Sequence, residues 1–240
     1  MSLIEPLFLI KIVSIFTIVL TLFIVFVDQK KWEKYKKIIF LLYVIPIAFV
    51  TLYLVGATVH KNFTSQTGGP IHWHADFEVI ACGEKLDLVN PRGLKNKIGS
   101  PLFHEHDDNR IHVEGTIKNV EDIEVDDFFR VIGGELKKGL LIYDIEGVGK
   151  REFRDGEVCS NGKKGYVQLF VNGEKINSFN YLYYPNSLVP PGDCFIVEFG
   201  PLKDKTDEIC SSWKVQGWNY ENYKNKREAI DAYGHHWEGY

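Results

Sequence analysis

Ile71-His72-Trp73-His74-Ala75-Asp76-Phe77-Glu78 opens the stretch on which the fold turns. The residues alternate, and side chains alternate faces along a strand, so His72, His74, Asp76 and Glu78 point to one side. The alternation runs on to Cys82, Gly83-Glu84 turns, and Lys85 to Val89 returns as the second arm of a hairpin. A loop over 90–101 follows, with His104-Glu105-His106-Asp107-Asp108 at its mouth. The next strand, Arg110 to Gly115, sets His112 and Glu114 on one face. Five of the chain's eight histidines fall between His72 and Glu114, each near a carboxylate. Imidazoles and carboxylates on a shared face are what a Zn, Cu, Ni or Fe site is made of.

Upstream of this window the chain is not soluble-domain material. Residues 7–27 are almost continuously apolar, broken by Lys11, and residues 38–58 form a second such run with Pro46 inside it. Each is about 20 residues, the length that crosses roughly 30 Å of hydrocarbon as a helix. A cleaved signal peptide does not fit the first run, which has no basic leader and is followed at once by another span. The connecting residues 28–37 carry Lys30, Lys31, Lys34, Lys36 and Lys37. Short Lys-rich loops stay cytoplasmic, which places both termini and the main domain outside the cell membrane. Residues 59–70 read as a polar tether, with His60 at the interface and a sequon at Asn62-Phe63-Thr64.

The chain holds 28 Lys and Arg against 32 Asp and Glu; six of the basic and three of the acidic residues lie before residue 59, leaving the exterior part near −7. That balance argues against nucleic acid or an anionic lipid surface as a partner. All four cysteines lie in this exterior part. An even count outside the cell favours two disulfides. Of the three connectivities, we expect Cys194 with Cys210, closing a short charged loop worth about 3 kcal/mol in the chain-entropy model, and Cys82 with Cys159.

The remaining pattern predicts a helix over 122–132, stopped by Gly133-Gly134, and a strand over 140–145. Residues 146–164 read as a Gly- and charge-rich loop. Tyr166 to Val171 and Glu174 to Ile176 flank Asn172-Gly173, a strong hairpin signal. Val189-Pro190-Pro191-Gly192-Asp193 feeds a last strand, Cys194 to Phe199. Strands interrupted by one helix give a compact α+β domain over 71–210, β-grasp-like, with a small β-sandwich as the alternative. Residues 211–240 form an aromatic polar tail with Trp213, Trp218, Tyr220, Tyr223, Tyr233 and Trp237.

Function reads first as metal binding. His72, His74, His104, His106 and His112 are the expected ligands, with Asp76, Glu114 and Asp107 as ligands or as partners of the histidines' second ring nitrogens. The sulfur ligands of a soft copper site are missing, since Met1 is the only Met and the cysteines are paired, so Zn²⁺ or Cu²⁺ is favoured. The role would be capture, sensing or delivery. An accessory subunit of a membrane complex is the first alternative, with the aromatic tail as its contact surface. A metalloenzyme is the second. His72-x-His74-x₃-Glu78 resembles the first half of a cupin metal motif, but the second half, a histidine a few residues after Pro-x-Gly, is missing from Pro190-Pro191-Gly192-Asp193-Cys194-Phe195. His72-x-His74-x-Asp76 resembles metallo-β-lactamase-type hydrolases, yet Phe77 stands where those have histidine.

One broader likeness rests on His-x-His-x-Asp, Cys-Gly-Glu-Lys, His-x-His-Asp, Arg-Ile-His-Val-Glu-Gly, Asp-Asp-Phe-Phe, Val-Asn-Gly and Pro-Gly-Asp-Cys. Over roughly residues 70–210 the chain resembles a group of membrane-anchored exterior proteins from archaea and uncultivated bacterial lineages. That resemblance implies a recurring domain in an archaeal-like envelope setting and brings no activity with it.

Overall fold

The computed structural model describes residues 5–26, 33–181 and 191–232. The expected connecting loop is thus described only from residue 33, and Tyr233, His235, His236 and Trp237 of the tail lie outside the described residues. The chain divides into two compact units, Met1–Thr64 and Ser65–Tyr240.

The first unit is helical. Helix α1 spans Pro6–Phe26, and a 3-10 turn at Glu33–Tyr35 leads into α2, Lys36–Thr64. Both are long and apolar enough to cross a membrane. Most of their Leu, Ile, Val and Phe side chains are exposed, and Val50 is the one buried residue of the pair. The hydroxyls of Thr17, Thr21 and Thr51 donate to carbonyls three or four residues back, which keeps them satisfied without water. Thr21 also meets the Tyr43 hydroxyl at 2.8 Å. Helix α2 runs through Pro46 unbroken. It also runs six residues past the expected span end, so the tether reading of 59–70 is corrected. His60 and the sequon are helical, because nothing in Val59 to Thr64 breaks the pattern, and only residues 65–69 link helix to strand.

The second unit is α+β. Strand β1, Pro70–Ala81, is its axis. Along one edge β1 pairs antiparallel with β5 (Arg110–Thr116) through its first half and with β2 (Glu84–Leu86) through its last residues. Along the other edge it pairs in parallel with the last strand, β11 (Cys194–Gly200). β11 in turn takes β9 (Tyr166–Val171), which takes β10 (Glu174–Ile176). Beyond β5 come β4 (Phe103–Glu105) and β3 (Ile98–Gly99), giving one eight-stranded sheet. A separate three-stranded sheet holds β6 (Glu135–Lys137), β7 (Leu140–Ile145) and β8 (Gly149–Arg154). β8 lies where a loop was expected; it presents Lys150, Arg151 and Glu152 to water and only Phe153 inward, so it has almost no apolar signal.

The two faces of the large sheet are used differently. Trp73, Ala75, Phe77 and Val79 of β1 pack into the main core with Ile111 and Val113 of β5. Helix α3, Val125–Val131, adds Phe128 and Phe129 to this core, both fully buried. Phe128 stands edge-on to Phe77 at 5.0 Å and 5.4 Å from Phe103. The expected helix start at residue 122 is instead a 3-10 turn, Val120–Ile123. On the opposite face a second core joins Ile80, Phe170 and Ile196 to Trp213 and Tyr223. The latter two come from α4 (Ser211–Val215) and α5 (Tyr220–Ala232), so the expected tail is partly a helical cover for its own sheet.

Cys82 is bonded to Cys159 and Cys194 to Cys210, with Cα separations of 5.5 and 5.8 Å. Cys82 and Gly83, both at positive φ, make the β1–β2 turn one residue earlier than expected, and Asn172 and Gly173 make the β9–β10 turn in the same way.

Candidate metal centre

Outward-facing residues of β1 form a series from open surface to covered core. His72 and His74 come first, Asp76 and Glu78 next, and Ile80 lies beneath α4 and α5. Antiparallel register sets what each one meets: His72 is opposite Glu114, His74 opposite His112, and Asp76 opposite Arg110. On the far side of β5, His104 of β4 is opposite His112. Directly opposed residues have Cβ atoms about 4.5–5.5 Å apart, so three strands deliver His74, His112 and His104 as one row.

Ring geometry bears this out. His112 is 4.6 Å from His74, 4.8 Å from His106 and 5.5 Å from His104, centroid to centroid. His72 lies 4.5 Å from His74. Two sets of ligand atoms result, each gathered within 4.8 Å: His104, His106, His112 and Glu114, and His72, His74 and His112. Glu114 turns Oε1 to His72 Nε2 at 3.1 Å and Oε2 towards His104 Nε2 at 3.8 Å.

Local chemistry fixes several of these rings. His106 Nδ1 lies 2.6 Å from the Asn96 carbonyl, which can only accept, so Nδ1 carries the proton and Nε2 the lone pair. His112 Nε2 lies 3.1 Å from Asp108 Oδ2. Burial works to raise the Asp108 carboxyl, but the hydrogen bond and charge of His112, with Arg110 beside it, outweigh that and hold it below its ordinary value. Glu105, buried in β4, accepts the N–H groups of Asp108 and Asn109 at 2.5 and 3.1 Å and so shapes the turn into β5.

His104 is fully buried and neither of its ring nitrogens makes a hydrogen bond. An imidazole in that position is costly unless something completes it. Burial lowers its pKa to about 4, helped by Lys97 and opposed by Glu114. His74 is lowered to about 4 as well, first by burial and then by its neighbours His112 and His72. Both are therefore neutral at pH 7, with a lone pair free to bind a metal. The residues fit a transition ion held by imidazole and one carboxylate.

Two of the expected carboxylates are elsewhere. Asp76 is fully buried and accepts from Arg110 Nε at 2.7 Å, because register puts arginine and not histidine opposite it. Burial raises its pKa while Arg110 opposes the rise. Asp107 occupies the turn between β4 and β5 at φ 69° and belongs to neither set. Asp108 takes the orienting role, and its place four residues before His112, across a tight turn, was the available signal. Glu78 is held by Lys85 at 3.1 Å and by the Ser211 backbone N–H at 2.8 Å, which ties β1 to α4.

Glycines frame the centre. Gly192 has φ of +89°, and a Cβ there would run into the His74 carbonyl oxygen; the next residue's carbonyl accepts the Asp76 N–H at 2.8 Å. The Pro-Gly-Asp turn thus clamps the backbone between His74 and Asp76. A Cβ on Gly99 would stand 2.6 Å from the Phe103 carbonyl oxygen, so β3 can close on His104 only as glycine. Compared with known proteins, the chain matches no family model, no curated protein and no solved structure.

Proposed function

We propose that this chain is a two-span membrane protein whose exterior domain binds a divalent transition ion, Zn²⁺ or Cu²⁺, for capture, sensing or delivery. The observation that carries the reading is His104: fully buried, without a hydrogen bond on either nitrogen, and within ligand distance of His106, His112 and Glu114. Sulfur ligands are absent from the neighbourhood because the cysteines are spent on disulfides, which favours borderline ions over Cu⁺. The membrane part rests on two helices that are apolar all round, a pattern suited to lipid. The domain's β-grasp-like reading is supported by a central parallel pair, β1 and β11, flanked by the β1–β2 and β9–β10 hairpins. An accessory-subunit role has less support, since Trp213 and Tyr223 are used inside the domain's own second core.

Metal analysis of the full chain purified in detergent tests the proposal. Stoichiometric Zn or Cu in the wild type, and none retained in His104→Ala/His106→Ala, is the expected result. No bound metal in the wild type after exposure to both ions overturns it.

A further inference from the structure

The two ligand sets share His112, and its surroundings limit how they can act together; the inference rests on the metal-binding reading above. An ionised carboxylate only accepts, so Asp108 at 3.1 Å commits His112 Nε2 to carrying the proton. Nδ1 is left with the lone pair, buried and without a hydrogen bond. One lone pair thus serves two sets. The sets also differ in access. The His72 side chain is 58% exposed, whereas that of His104 is 0% exposed. Glu114 spans them, one oxygen towards each.

We propose that the sets are two successive positions for one divalent transition ion, an entry position at His72, His74 and His112 and a holding position at His104, His106, His112 and Glu114. His112 is the ligand common to both. His104 and His106 replace His72 and His74 one at a time, so the ion need not return to water between positions. His106 is ready for this, its Nε2 being left free by the bond from Nδ1 to Asn96. The holding position adds a carboxylate and buries two of its four ligands, His104 and His112, so it is the tighter of the two.

Stopped-flow mixing of the full chain in detergent with Co²⁺, whose absorption reports its ligand set, tests the relay. Two phases are expected, ending with one ion per chain. His72→Ala/His74→Ala should lose the fast phase yet reach the same final spectrum. The milder His72→Gln, at an exposed side chain, should slow that phase without touching the core. His104→Ala/His106→Ala should show the first phase alone and lose its ion when free Co²⁺ is removed. Two ions bound together at saturation, or an unchanged fast phase in His72→Ala/His74→Ala, overturns the relay while leaving metal binding intact. Failure of the wild type to bind Co²⁺, Zn²⁺ or Cu²⁺ at all overturns both.

Discussion

His74 and His104 titrate near 4 in the folded chain, while the same residues in an unfolded chain titrate near their ordinary 6.5. Between those values the unfolded state binds more protons than the folded state, so stability rises with pH across that window. The metal-free protein should hold its full stability above about pH 6.5 and lose it progressively as pH falls towards 4. Thermal unfolding with a chelator, repeated at steps from neutral to acid pH, checks this; a Tm flat over the window would contradict it. The same buried histidines explain what could be read at this scale. His72, His74, His104, His106, His112 and Glu114 all stand in the two ligand sets; alternation pairs His72 with His74 in β1 and His112 with Glu114 in β5, whereas His104 arrives through the pairing of β4 with β5 and His106 through the turn that follows β4. Asp76 and Asp107 do not, since cross-strand partners and turn conformation are settled by register, which a single strand's pattern leaves open.

At the level of elements, the Cys194–Cys210 bond joins β11 to the start of α4 and sits inside the second core. Replacing both cysteines by serine should cost about 3 kcal/mol or somewhat more, since two buried hydroxyls also enter an apolar cluster. Denaturant unfolding of the variant against wild type, both oxidised, measures the loss. A difference below about 1 kcal/mol would mean that α4 is held mainly by Trp213 and by the Ser211–Glu78 contact. Elements with strong local chemistry were legible in the sequence: β1, β5, the hairpin around Asn172-Gly173, and the Cys pairs. Helix α5 was not, although its start carries a signal. Asn219 and Asn222 each accept the other's backbone N–H, at 2.9 and 2.8 Å, a reciprocal cap built from asparagines instead of Ser and Glu. Its stripe of half-buried Tyr220, buried Tyr223 and half-buried Arg227 reads as polar by composition, with Tyr223 and Arg227 meeting Asp193 at 3.1 and 3.0 Å.

Across the whole molecule, composition already separates an apolar pair of helices from an acidic, disulfide-bonded domain. If both helices span the membrane with their Lys-rich link inside, protease added to intact cells stripped of their wall should remove the domain and leave a fragment near Met1–Thr64 in the membrane. Cleavage only after permeabilisation would reverse the orientation. The parallel pairing of β1 with β11 was beyond sequence reading, because it joins segments more than a hundred residues apart and depends on the global fold.

That central strand has one more property. Trp73 sits between His72 and His74 in sequence but points the opposite way, 5% exposed within the main core. Its indole therefore emits from a dry, rigid setting one residue away from two proposed ligands. A Cu²⁺ ion, with its partly filled d shell, would quench that emission at such short range, whereas closed-shell Zn²⁺ would leave it bright. The fold has thus placed a light source against the back wall of its candidate metal centre, and the colourless question of which ion it holds becomes an optical one.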